Sequence, residues 1–231
     1  MSRTGAGSAM SVDELVDERE HLIEEWDEAT EDYLDDLKDY GRLTQQRSLV
    51  HAEISVLKDV YGTIAAAGAL AEGEQRHALT SSAMVGVRLR YAYEREIIEA
   101  MSLMRKAGGL QHLVERHQAV LSELGRLLSR QYRDELETFQ QLAAMHAEFA
   151  RAQLANSHGL WRDAWNEAIE AQQMVSEQLE RLAPGSAATW RFQTPPDWPP
   201  PHPGWAPQPG WLPDPGWEIP KDRNWHFWVR G

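Results

Sequence analysis

Six tryptophans crowd one end of this 231-residue chain: Trp198, Trp205, Trp211, Trp217, Trp225 and Trp228. Three of them close a repeated pentapeptide, Pro-x-Pro-Gly-Trp, at Pro201–Trp205, Pro207–Trp211 and Pro213–Trp217, with Ala206 and Leu212 as single spacers. Indole does no acid–base or nucleophilic work. Its chemistry is recognition, through a large apolar face and one N–H donor, and tryptophan is enriched at interface hot spots. The hexad presents one indole per repeat, and proline leaves little chain entropy to lose on docking. The six tryptophans therefore read as partner-binding residues. Two other readings compete: a tail wrapped on its own body, and an inert linker. Linkers are poor in aromatics, which weighs against the second.

A second set of residues offers charge. Asp13 through Asp39 hold fourteen acidic residues against Arg19 and Lys38. Glu24, Glu28, Glu31, Asp32, Asp35 and Asp36 stand at helical spacing, with several like-charge pairs four apart. Each such pair opposes an isolated helix by about 0.2–0.5 kcal/mol. The bland account is a solvated helix face; the sharper one is docking of a basic partner. A calcium loop would need a glycine-centred Asp/Asn spacing that the run lacks.

Catalytic signatures are missing from the sequence. There is no cysteine, hence no thiolate nucleophile, disulfide or Cys-zinc site. No Gly-x-Ser-x-Gly, phosphate loop or dinucleotide fingerprint appears. A di-iron bundle would show two Glu-x-x-His motifs, and the chain has one, Glu74 to His77. His146 reads as a core or interface imidazole. The expectation is a protein that is not an enzyme, with no catalytic residue, no metal and no cofactor. The net charge of −13 argues against nucleic acid as a partner.

These residues need elements to position them. Ser11 and Glu14 form a capping-box pattern, and an apolar helical period follows from Leu15 to Tyr61. A helix of about 50 residues is expected there, weakened at Gly41 by roughly 1 kcal/mol. A second helical pattern runs from Leu79 to Lys106, with Gly108-Gly109 as its end. A third takes Leu121, Leu124, Leu128, Tyr132, Leu136, Phe139, Leu142, His146 and Phe149 as one seam of near-coiled-coil spacing. Asn156–Gly159 is a candidate interruption; the pattern resumes at Trp161 and Trp165 and stops at Pro184-Gly185. Trp190–Phe192 reads as a hinge. The expected fold is all-α: an elongated antiparallel bundle or coiled coil of about three long helices with an irregular Pro/Trp-rich tail. Residues 1–10 read as a disordered N-terminus, 11–185 as the helical body and 186–231 as the tail. The apolar seams close within one chain or between two, so a homodimer is one way to complete burial. No apolar signal segment or membrane span is evident, and a cytoplasmic location is expected.

Trp198 to Val229, through DWPPPHPGW, APQPGW, LPDPGW and the closing WHFWV, resembles the Pro-Gly-Trp repeat modules of uncharacterised actinobacterial proteins. The resemblance covers about 32 residues. It implies company with membrane or envelope-associated domains and carries no assigned chemistry; the helical body shows no family likeness. The leading expectation is a scaffold or adaptor that binds a protein partner through its Trp/Pro tail. The alternatives are a membrane-surface or envelope-associated assembly factor, disfavoured by the acidic charge, and a helical-bundle metalloprotein or enzyme.

Overall fold

The computed structural model describes residues 10–66, 72–128, 133–185, 189–202 and 204–231. Residues 1–9, where the disordered terminus is expected, and Tyr132 of the third seam lie outside these. Three long helices dominate: α1 (Val12–Ala66), α2 (Glu72–Leu127) and α3 (Arg133–Leu182). They pack against each other, so the fold is all-α with a Trp-rich tail. Two three-residue strands, β1 (Trp190–Phe192) and β2 (Trp228–Arg230), pair antiparallel in the tail.

Helix α1 begins as its sequence directs. The Ser11 N–H donates to Glu14 Oε2 at 2.7 Å, and the Glu14 N–H donates to Ser11 Oγ at 3.3 Å. Two donors that no helical carbonyl reaches are thus satisfied reciprocally. Donation from the Ser11 N–H, and from its hydroxyl at 3.0 Å, holds the Glu14 carboxyl below its ordinary pKa.

Two expected breaks are absent. Helix α2 passes straight through Gly108-Gly109. Neither glycine takes the positive φ that a left-handed cap needs. Leu110 and Val114, just beyond, are buried, and that burial outweighs a glycine penalty of about 1 kcal/mol per residue. Helix α3 likewise runs unbroken through Asn156–Gly159, where Ser157 is buried. The regular third seam is therefore not one helix. Leu121 and Leu124 belong to the end of α2, Leu128 follows it directly, and Leu136 onward belongs to α3.

The chain forms two compact units. One contains the described residues up to Asp35 together with Met104–Asn156; the other contains Asp36–Leu103 and Ser157–Gly231.

In the first unit, Leu15, Leu121, Leu124 and Ala143 form a buried cluster, flanked by half-buried Leu128, Leu136 and Phe139. The two halves of the divided seam thus meet face to face. Arg116 donates to Glu18 and Glu25 at 3.0 and 2.8 Å, while Lys106 pairs with Asp32 at 2.8 Å. Partner numbers fall along α2 as they rise along α1, which is an antiparallel register. Trp26 stacks on His146 at 4.2 Å, and the Arg19 guanidinium lies 3.5 Å above the Phe139 ring. These contacts run parallel between α1 and α3. His117 is buried with Nε2 unpartnered; burial first, then Arg19 and His146, push its pKa down to about 4.

The second unit repeats the three-helix arrangement and adds the tail. Ser102 donates to Asp36 at 3.1 Å, Arg47 Nε to Glu96 at 2.8 Å and Arg88 to Glu53 at 2.9 Å, again antiparallel. Tyr93 links three helices: it accepts from Arg47 at 3.3 Å and donates to Glu167 at 3.1 Å. Burial leads the causes that push its pKa up to about 12. At Gly86 the helices come so close that a Cβ would sit 2.9 Å from Val175 Cγ2.

Candidate interaction site

The tail is irregular by composition yet ordered by its turns. Each repeat tryptophan donates its backbone N–H to the carbonyl three residues back. Trp205 bonds to His202 at 3.1 Å, Trp211 to Gln208 at 2.9 Å and Trp217 to Asp214 at 3.0 Å. Trp198 and Trp225 close the same turn onto Pro195 and Asp222, both at 3.0 Å. The pentapeptide is thus a turn code, with Pro-Gly at the corner and Trp at the exit. Gly204 and Gly210 have φ of 79° and 82°, the left-handed value that a type II corner demands and that a side chain resists. The third repeat solves the corner differently. Gly216 stays outside that region, and Asp214 Oδ1 accepts its N–H at 2.8 Å. Asp222 does the same for Asn224 at 2.9 Å.

This geometry sorts the hexad by exposure. The corner prolines Pro209 and Pro215 face solvent, the leading prolines Pro207 and Pro213 are buried, and Trp205, Trp211 and Trp217 are half-buried. The rings meet in a row. Trp205 lies 5.0 Å from Trp211, Trp211 lies 6.5 Å from Trp217, and Trp217 lies 4.9 Å from Trp198. At its base sits Trp165 of α3, fully buried. Trp211 stands edge-on to it at 5.3 Å, and Phe227 is tilted 4.9 Å away. Phe192 joins from β1, 5.4 Å from both Trp205 and Trp228. Aromatic pairs of this kind contribute about 0.5–1.5 kcal/mol each beyond area burial. Trp198 also donates Nε1–H to the Glu218 carbonyl at 2.7 Å.

Of the six tryptophans from Trp198 to Trp228, the structure thus brings five into one aromatic cluster. Trp198 and Trp228 are buried within it. Trp225 stands apart, half-buried, with its Nε1 buried and unpartnered. The charged candidates take another course. Glu24, Glu28, Glu31, Asp32 and Asp35 lie exposed along α1, with Asp32 held by Lys106; Asp36 is half-buried against Ser102.

Sequence reasoning missed the anchor that holds the tail to α2. Arg90 and Glu94, one helical turn apart, are both fully buried. Arg90 donates Nη1–H to Gln172 at 2.6 Å and lies 4.2 Å from the Trp190 ring centre. Its Nε is 3.4 Å from Glu94 without hydrogen-bond alignment, and burial lowers the guanidinium pKa. Glu94 in turn accepts from His226 Nδ1 at 2.8 Å and from the Trp228 backbone N–H at 3.2 Å. Beside it, Arg223 reaches Glu99 at 3.1 Å. An Arg–Glu pair four apart resembles any solvated surface pair. Only the adjacent His-Phe-Trp of the tail hints that it is covered.

The Trp190–Phe192 segment is not a hinge. It is β1, and its register pairs Trp190 with Arg230, Arg191 with Val229 and Phe192 with Trp228. Both strands are too short to show a period of two.

Compared with protein families, curated proteins and solved structures, the chain matches none. Among the described residues, no group of three or more His, Cys, Asp or Glu side chains is placed to hold a metal ion, and no helix is long and apolar enough to cross a membrane.

Proposed function

We propose that this chain is a non-enzymatic binding module: a three-helix scaffold that presents a Pro/Trp repeat surface to a protein partner. One observation carries the reading. Trp205, Trp211 and Trp217 form a row at the surface, each ring half-buried on its neighbours and half open, between solvent-facing Pro-Gly corners. Rigid aromatic anchors already held in place lose little entropy on binding, and tethered repeats add by avidity. The test is co-purification of the full chain from its native cells, compared with Trp205→Leu and Trp217→Leu. Leucine keeps apolar packing and removes the indole. The expected result is a stoichiometric partner retained by the wild type and weakened in each variant whose melting is preserved. A wild-type chain that retains no stoichiometric partner, or variants that retain it unchanged, would overturn the reading.

A further inference from the structure

We propose that a groove beside the indole row receives an extended, basic peptide segment that adds to the free edge of β1; this deepens the binding-module reading and rests on it. The groove has a volume of about 540 Å³ and lies between α3 and the tail. That is within the range of ligand-binding clefts, roughly 300–1,000 Å³. Its floor is buried: Ile169, Phe192, Pro207 and Trp228, with the Gln172 amide among them. Gln172 is 8% exposed and oriented from both ends: its Oε1 accepts from Arg90, and its Nε2 donates to Ser176 at 3.2 Å. Trp190 forms part of the wall.

The backbone says what shape of ligand fits. Gln193 N–H donates to the Phe227 carbonyl at 2.7 Å, and Gly231 N–H donates to that of Thr189 at 2.6 Å. In an antiparallel ladder the bonded positions alternate. Residues 189, 191 and 193 therefore bond toward β2, and the N–H and C=O of Trp190 and Phe192 point the other way. The same alternation turns the Trp228 N–H outward on the far edge, where Glu94 takes it. No described residue takes the outward groups of Trp190 and Phe192. Both residues also line the groove. An edge with unpaired donors and acceptors is a template for an added strand, with alternate side chains entering the adjacent pocket.

Charge says what sequence fits. Glu177, at the rim, is the one charged residue among those lining the groove, and no described residue pairs with it. The whole chain carries −13. Arg191, the nearest cation on β1, alternates to the opposite face. An arginine or lysine of the peptide would reach Glu177, while acidic peptides would meet like charge.

The test uses the full chain and two capped heptapeptides, one alternating arginine with valine, the other glutamate with valine. Binding is read by tryptophan emission and by anisotropy of labelled peptide. The arginine peptide should bind at least tenfold tighter, and Glu177→Lys, at a rim site, should cancel or reverse that preference while melting stays unchanged. N-methylation of alternate peptide nitrogens, which removes one edge of donors, should weaken binding about tenfold. Equal binding of both peptides, no binding of either at millimolar concentration, indifference to N-methylation, or displacement by free arginine amide at the same concentration would each overturn the proposal. Trp205 lies outside the groove and Glu177 outside the indole row. Failure of peptide binding with native-partner retention intact sinks the groove alone, and the converse sinks the row alone.

Discussion

At the residue scale the unusual commitments are buried charge and buried imidazole. Arg90 and Glu94 are both removed from water, and each is tolerable because the other is there. Gln172 accepts from Arg90 Nη1, His226 and the Trp228 N–H donate to Glu94, and Arg90 Nε and Nη2 are buried without a hydrogen-bond partner among the described residues. Glu94→Leu leaves Arg90 as an uncompensated buried cation. We expect a loss of about 3–5 kcal/mol, read as a clear drop in melting temperature, with much of it restored in the double variant Arg90→Met/Glu94→Leu. Wild-type melting in the single variant would show that the pair is not holding the tail. His117 makes a different prediction. Its folded pKa of about 4 lies below the 6.5 of an unfolded histidine, so on acidification the unfolded chain takes up the proton first. Stability is fully present above about pH 6.5, falls between there and about pH 4, and loses nothing more from this group below that. The full effect is on the order of 3 kcal/mol. Replacing His117 by leucine should flatten the melting profile across that window, and an unchanged slope would refute the assignment.

At the element scale, what the sequence reveals depends on what kind of signal was written there. Ser11 and Glu14 announce the start of α1 because a cap is local chemistry. The helical class is legible because three long apolar periods leave no other class. The break between the second and third helices is not legible from glycine, since a glycine pair ends a helix only when the following residues gain nothing from continuing it. Leu110 and Val114 gain burial. Gly108 and Gly109 are thus helix-interior glycines where an added methyl group would meet nothing within 4 Å, whereas Gly86 faces Val175 at 2.9 Å. Gly108→Ala and Gly109→Ala should each stabilise by about 0.5–1 kcal/mol. Gly86→Leu should destabilise by about 1–3 kcal/mol, because the added volume meets a packed, short side chain. Thermal melts on the three variants check the contrast, and a common sign across all three would contradict the assigned packing. In the tail, the proline density excluded helix, but neither the Pro-Gly turns nor the strand pair was foreseen. Three residues cannot show a period, and the pairing joins segments 38 residues apart in sequence, from Trp190 to Trp228.

At the scale of the whole molecule, the tail joins the fold of one unit rather than following after it. Trp165 is fully buried, and the rings around it come from the tail: Phe192, Trp198, Trp211, Phe227 and Trp228. Removing residues 186–231 would bare that indole and leave Arg90 and Glu94 without His226, Trp228 and Trp190. We therefore expect a chain ending at Gly185 to keep its helical circular dichroism while melting well below the full chain and binding a hydrophobic dye. Replacing Trp205, Trp211 and Trp217 together by alanine should also lower the melting temperature, by less, since these rings are half-buried and the anchor at Glu94 survives. Replacing them by leucine should recover most of that loss, because much of the burial returns with the aliphatic side chain. If stability follows the series alanine, leucine, tryptophan while partner retention is lost equally in the alanine and leucine chains, the indoles have two separable roles, packing and recognition. If retention instead tracks melting temperature through the whole series, the row acts only by holding the unit together, and recognition must be sought elsewhere on its surface.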